Sequence, residues 1–212
     1  MVLDAASRGS CYCDPVSGTT PIEWVGQPVL EGVRVRLAPL TTDDAEALAA
    51  NADHPTAFRW TTVPKGVESA RDYIDTALST PNRVAFTVTD LRTSSIVGTT
   101  SFYDINPGHR ALAIGYTFYS ATTHGNGVNP EAKLLLLGYA FEKLNAARVV
   151  FHTDERNAQS RAAILKLGCT FEGLLRKHLP LAAGGMRTTA QYSLVDDDWP
   201  GVKAALQQRI QV

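Results

Sequence analysis

Between residues 124 and 129 the chain reads His124-Gly125-Asn126-Gly127-Val128-Asn129, just ahead of a helical pattern that opens at Pro130. Strand, short glycine loop, then helix is an arrangement that can hold phosphate. The first amides of a helix have no partner inside it and point out of its end. The macrodipole adds partial positive charge there. Glycines at 125 and 127 would let the main chain approach an anion with no Cβ in the way. His124 and Lys133 are the nearest cations, although amides alone suffice. A plain turn followed by an N-cap would use the same residues, with Asn129 as cap and Pro130 as first helical residue. No Gly-Lys-Ser/Thr follows, so this is not a Walker loop. The third glycine of the dinucleotide fingerprint is also missing.

Other residues with chemical potential are scattered. Asn157 and Ser160 are spaced as an N-cap and a first-turn residue. Glu131, near a helix start, reads as a partner of the helix dipole, because an acid among phosphates would repel them. Glu172 reads as a structural carboxylate at a strand end. Arg156 and Arg161 flank the Asn157 helix start, either as anion ligands or as solvent-facing charges. Cys169 follows a helix-ending glycine and enters a strand, which suggests burial, not activation. Cys11-x-Cys13 lacks the second pair or His cluster that would complete four metal ligands, so no metal is expected.

The elements that must position these residues follow from periodicity. Residues 1–28 are rich in Ser, Gly, Thr and Pro and read as a loose arm, ordered only where Ile22, Trp24 and Val25 touch a core. Val33, Val35 and Leu37 alternate with Arg34 and Arg36 as a strand. Thr41 and Asp44 have capping-box spacing ahead of a helix with Ala45, Leu48, Ala49 and Ala52 on one face. A second helix over about 67–79 begins near Ser69 and presents Tyr73, Ile74 and Leu78. Strand signals over 84–89, 96–102 and 111–119, with a turn at Asn106-Pro107-Gly108, form an antiparallel meander. Leu134, Leu137, Phe141 and Leu144 give the helix after the glycine loop an apolar stripe. A strand at 148–153, a helix from Asn157 to Lys166 stopped by Gly168, strands at about 170–178 and 187–194, and a helix opened by Asp198-Trp199-Pro200 complete the chain. The expected fold is α/β of the α+β kind, a mixed, largely antiparallel central sheet flanked by helices, in one domain over 29–212.

Composition bounds the partners. The chain has 212 residues, 44% apolar and 19% charged, enough to bury a core without disulfides. Twenty basic against 21 acidic residues leave a net charge of −1, which argues against nucleic acid and against an anionic membrane surface. The longest leucine run, Leu134 to Leu137, is far short of the ~20 apolar residues of a membrane span. Met1-Val2-Leu3-Asp4 lacks a basic n-region and an apolar h-region, so a cytoplasmic location is expected. Three cysteines, an odd number, fit free thiols.

Several segments, in order, carry a resemblance: Leu30 to Leu40, Ile96-Val97-Gly98-Thr99, Ile114-Gly115-Tyr116, Gly125 to Ala132, Tyr139-Ala140-Phe141-Glu142, Asn157-Ala158-Gln159-Ser160 and Leu167 to Arg176. Together they resemble the GNAT superfamily of acyl-CoA-dependent N-acyltransferases, nearest to its ribosomal-protein-alanine N-acetyltransferase branch. Thr122 stands where that family usually has Arg or Gln, and Asn129 where Gly or Ala is commonest. The resemblance implies acetyl-CoA, or another acyl-CoA, as co-substrate, and no metal. It implies that strands 111–119 and 148–153 splay apart, with the pantetheine arm between them. Main chain near Phe118, Tyr119 and Ser120 would pair with the arm. Amides from His124 through Gly125, Asn126, Gly127 and Val128 to Asn129 would hold the pyrophosphate. Asn157 would bond the arm and Ser160 would lie near the sulfur as donor to the thiolate. Phe58 and Trp60, with Tyr103, would frame the acceptor.

Acyl transfer needs a neutral amine. A lysine near pKa ~10.4 faces a handicap of roughly 4–5 kcal/mol at neutral pH, an α-amine only about 1–1.4 kcal/mol. The family branch often supplies a carboxylate as base after Glu172-Gly173. Here that stretch, Leu174 to Pro180, has no acid, and His178 is the nearest titratable substitute. Asp104, Tyr103 and His109 are weaker alternatives. The expected activity is N-acyl transfer to a primary amine of a protein, peptide or small molecule in a ternary complex, with a homodimer compatible with the chain. The competing readings are a non-catalytic acyl-CoA-binding or regulatory module and a nucleotide-phosphate enzyme using the glycine loop.

Overall fold

The computed structural model describes residues 19–51, 64–123, 125–181 and 184–210. The expectations for Cys11, Cys13, Phe58, Trp60 and His124 fall outside the described residues. Eight strands form one sheet in the order β1-β2-β3-β4-β5-β6-β8-β7. They are β1 (Leu30–Glu31), β2 (Val35–Pro39), β3 (Val84–Asp90), β4 (Ser95–Asn106), β5 (Ala111–Tyr119), β6 (Arg148–Asp154), β7 (Thr170–Pro180) and β8 (Met186–Val195). Every neighbouring pair is antiparallel except β5 and β6. This is the mixed, largely antiparallel sheet expected from the sequence.

Six helices accompany it among the described residues: α1 (Pro21–Val25), α2 (Ala45–Ala50), α3 (Gly66–Ser79), α4 (Val128–Gly138), α5 (Ala158–Lys166) and α6 (Trp199–Ile210). Two apolar clusters mark the two sides of the sheet. The larger joins Leu112, Ile114, Val149, Phe151, Tyr192 and Leu194 of the strands to α4, α5 and α6 through Leu136, Leu137, Ile164 and Leu206. The smaller joins Ala85 and Phe118 to α2 and α3 through Leu48, Ala70 and Ile74.

Several local expectations shift. Pro21–Val25 is a helix because Thr20 and Glu23 close a capping box and Pro21 fits the first turn. Val25 is fully buried, whereas Ile22 stays exposed. Val33 is 85% exposed, because it sits in the turn before β2 and not within the strand. Leu78 also faces solvent; the buried stripe of α3 is Ala70, Ile74 and Ala77. The cap of α4 moves two residues back from Asn129, to Gly127. Gly127, at φ +87°, turns the chain into the helix, and Asn126 Oδ1 accepts from the Val128 amide at 3.2 Å. Pro130 is tolerated because amides of the first turn lack helical partners anyway. After Gly138 the chain widens into a π-turn over Tyr139–Lys143, with the Leu144 amide reaching Tyr139 O. Ala140 and Phe141 stay on the buried face of Leu136 and Leu137, one helical turn earlier.

Candidate functional site

The pairing of β5 with β6 covers three residue pairs: Ala111–Arg148, Leu112–Val149 and Ala113–Val150. Beyond Ala113, β5 runs on to Tyr119 still paired to β4, through Phe118–Thr99 and Tyr119–Gly98. Beyond Val150, β6 runs on to Asp154 paired to β8. The two strands therefore part, leaving a wedge in the middle of the sheet. Positive φ at Tyr116 and the register shifts between β4 and β5 bend β5 away.

The glycine loop lies past the end of β5. Ser120 closes the strand by donating its amide to Val97 O at 2.7 Å. The Asn126 amide donates to Thr123 O at 3.4 Å, and Val128 is taken by Asn126 Oδ1. Among the described residues, the amides of Gly125, Gly127 and Asn129 have no hydrogen-bond partner. Gly127 has left-handed backbone at φ +87°, and a Cβ there would lie 2.6 Å from Arg34 Nη1, the movable end of that side chain. Arg34 reaches this loop from the turn just before β2 and donates to Asn126 O at 3.3 Å. Sequence alternation reads Arg34 as the polar face of a strand, whereas it lies in the turn before β2, and nothing in its spacing marks it as a neighbour of the loop.

Glu131 is buried, and its two oxygens accept the amides of Val33 and Arg34 at 2.8 and 2.9 Å. The carboxylate thus ties the first turn of α4 to the start of β2 and fixes Arg34 beside the loop. Lys133 turns away from the loop and donates to Thr117 Oγ1 at 3.2 Å, on the splayed part of β5. Burial pushes its ammonium down to about 8. Tyr119 leaves its buried hydroxyl unpartnered, and burial raises that phenol above its ordinary range. Three free amides and a cation beside them form a polar edge that a diphosphate would satisfy.

Across the wedge, Asn157 Oδ1 caps α5 by accepting the Ser160 amide at 3.0 Å. Ser160 is half-buried in the first turn. Arg156 forks onto Asp154, and Arg161 donates to Tyr192 Oη and Glu155 O. Cys169 is buried, and burial pushes its thiol up to about 12. Among the described residues, no three His, Cys, Asp or Glu side chains gather as metal ligands.

His178, on edge strand β7, bonds Thr189 Oγ1 through Nδ1 at 3.1 Å, and its ring lies 5.6 Å from that of His152. His109 is held in a turn by Asn106, and Asp104 is exposed at a bulge. His152 is a residue that the sequence pattern missed. In a strand every second side chain faces the same way, and nothing in Val150 to Thr153 singles out one as facing a wedge.

Glu172 holds a network on the same side of the sheet. It forms a two-pronged ion pair with Arg148 and accepts from Gln191 Nε2 at 3.0 Å and Ser193 Oγ at 2.8 Å. The Arg148 guanidinium, helped by Ser193 and Gln191, holds its carboxyl down to about 2. The folded-state value lies below the unfolded one, so this stabilisation is present above the ordinary carboxylate range and fades as pH falls toward the folded value. With its partly exposed position discounted, Glu172→Gln should cost about 1–2 kcal/mol near neutral pH. Urea unfolding should show the gap between the variant and wild type narrowing below about pH 4.

A family model described as the acetyltransferase (GNAT) domain matches residues 34–170. The N-acetyltransferase YoaA of Bacillus subtilis, itself uncharacterised, is 30% identical over 175 residues, spanning 79% of this chain and 97% of YoaA. A GCN5-related N-acetyltransferase from Brucella melitensis superimposes with a TM-score of 0.81 at 28% identity, covering 86% of this chain and 85% of that one. Mycobacterium smegmatis RimJ, solved with a CoA disulfide, has the same fold with a TM-score of 0.73 at 19% identity, covering 87% and 95%.

Proposed function

The chain belongs to the GNAT acetyltransferase family, and from that premise we propose that it moves an acyl group, acetyl first, from coenzyme A to a primary amine within one ternary complex. The observation that carries this reading is the parting of β5 from β6 beside a loop with free amides. In this reading Gly125, Gly127 and Asn129 present those amides to the diphosphate. Asn126 and Val128 shape the turn, and Arg34 adds a positive charge. The main chain at Phe118, Tyr119 and Ser120 lines one bank of the wedge. Asn157 and Ser160 line the other, with Ser160 near the sulfur. The RimJ structure holds a CoA derivative on the same fold, which supports the assignment.

Direct transfer is favoured over a covalent enzyme intermediate because Cys169 has its thiol pushed far from the thiolate form. A protein or peptide amine and a small-molecule amine are both acceptors of the right chemistry.

Calorimetry with CoA, acetyl-CoA and ATP, followed by assays of CoA release with peptide and small-molecule amines, tests the reading. The expected result is saturable binding of CoA and acetyl-CoA, with turnover on at least one amine and intersecting double-reciprocal plots. Stabilisation by ATP alone, or acetyl-CoA binding with no turnover on any amine, overturns it.

A further inference from the structure

We propose that Tyr103 and His152 form a proton relay that takes the proton from the attacking amine, a role that rests on the acyl-transfer reading above. The last paired residues of β5 and β6 are Ala113 and Val150. Gly115 and His152 lie two residues further along their strands, at the point where the wedge opens. Tyr103, on β4 opposite Ala113, lays its ring over Gly115. A Cβ at that glycine would come 2.7 Å from Tyr103 Cε1, so the missing side chain is what lets the phenol cross β5. Its Oη ends 3.0 Å from His152 Nδ1. The pair thus spans the parting strands, on the sheet face opposite the cluster that holds Ile114, Phe151 and Tyr192. Tyr116, 45% exposed, packs edge-on against Tyr103 and opens this face to an incoming molecule.

The bonds behind His152 fix which nitrogen carries its proton. Glu172, ion-paired with Arg148, can only accept, so Gln191 must turn its Nε2 donors toward it. Gln191 Oε1 then faces His152 Nε2 at 3.0 Å and accepts its hydrogen. A neutral imidazole protonated at Nε2 has its lone pair on Nδ1, where it receives the Tyr103 hydroxyl proton. The groups facing the ring are His178 from β7, Arg187 from β8, Asp104 and Tyr103 from β4. Burial, aided by His178 and Arg187 and opposed by Gln191 and Asp104, holds His152 below its ordinary pKa. It is therefore neutral at pH 7 and able to accept. Burial raises the Tyr103 phenol, so Tyr103 conducts a proton and does not wait as phenolate.

The step balances. The amine nitrogen bonds to the thioester carbonyl carbon and the C–S bond breaks. One nitrogen proton passes to Tyr103 Oη as the phenol proton passes to His152 Nδ1. Coenzyme A leaves as thiolate, and the imidazolium returns its proton to solvent. So weak a base suits an acceptor of low basicity, such as a peptide α-amine, better than a lysine. Gln191 and Glu172 are positioning residues.

The test combines kinetics on whichever amine the wild type acetylates with ring-nitrogen NMR of His152, which needs no acceptor. Tyr103→Phe and His152→Gln should each lower kcat about 10²–10³-fold, and the double variant no further, because the two act as one unit. Acetyl-CoA affinity should stay within about twofold, showing that the cleft is intact. The acid limb of the wild-type pH profile should vanish in His152→Gln and move in Glu172→Gln. NMR should show hydrogen on Nε2 and none on Nδ1. Turnover near wild type in Tyr103→Phe, an unchanged pH profile, or a proton on Nδ1 overturns the relay while leaving acyl transfer standing. A wild type that binds no CoA, or acetylates no amine, overturns the parent reading and the relay with it.

Discussion

Gly127→Asp should abolish coenzyme A binding while leaving the protein folded. Position 127 has φ +87° and opens α4. Aspartate tolerates the left-handed region better than most residues, so the backbone strain is roughly 1–2 kcal/mol. Its Cβ would meet Arg34 Nη1, the far end of a flexible side chain, and its carboxylate would pair with that guanidinium. An internal anion would then stand where the diphosphate is proposed to sit, repelling it and occupying its cation. The dissociation constant for CoA should rise by at least about 100-fold, equivalent to ~2.7 kcal/mol. Gly127→Ala keeps the strain but adds no charge, and should lose about tenfold. Calorimetry measures both, with thermal unfolding as the control for folding. Wild-type affinity in a folded Gly127→Asp protein would mean that the phosphates bind elsewhere.

Glu131→Ala should be the most destabilising single change near the site. The carboxylate serves two amides almost a hundred residues away in sequence. Its removal leaves the Val33 and Arg34 amides without their charged acceptor. Charge-assisted bonds of this kind contribute about 1.5–3 kcal/mol each, so a loss of roughly 3–4 kcal/mol is expected, allowing for water reaching the turn. Glu131→Gln keeps one acceptor oxygen and turns donors toward the other amide, for about half that loss. Urea unfolding distinguishes them. A Glu131→Ala protein within about 0.5 kcal/mol of wild type would show that β2 is fixed by packing alone. Because the same latch holds Arg34, the alanine variant should also bind CoA more weakly.

The two variants divide the site into parts that the sequence displays and parts that it hides. Gly125 and Gly127 stand out because a turn between a strand and a helix needs left-handed backbone, and glycine is the residue that supplies it. Asn157 stands out as a cap, and the structure uses it as one. Arg34, His152 and Gly115 do not stand out. Each sits in or beside an alternating strand whose pattern reports the face of a side chain and not which distant element will meet it. The capping of α4 by Asn126 and Gly127 was hidden for a local reason: Asn129 and Pro130 are equally good signals just two to three residues later.

By itself the sequence determined the order of strands and helices from β2 onward, the mixed sheet, the glycine turn ahead of a helix and membership of an acyltransferase family. These depend on periodicity, turn chemistry and contiguous motifs, all local along the chain. Only the tertiary structure decided that β5 and β6 part after three pairs, that Arg34 stands over the loop on the Glu131 latch, and that a tyrosine crosses a glycine to reach His152. Those contacts join residues 37 to 98 positions apart, and such distant encounters are set by how the whole sheet twists and packs, not by any spacing written in the chain.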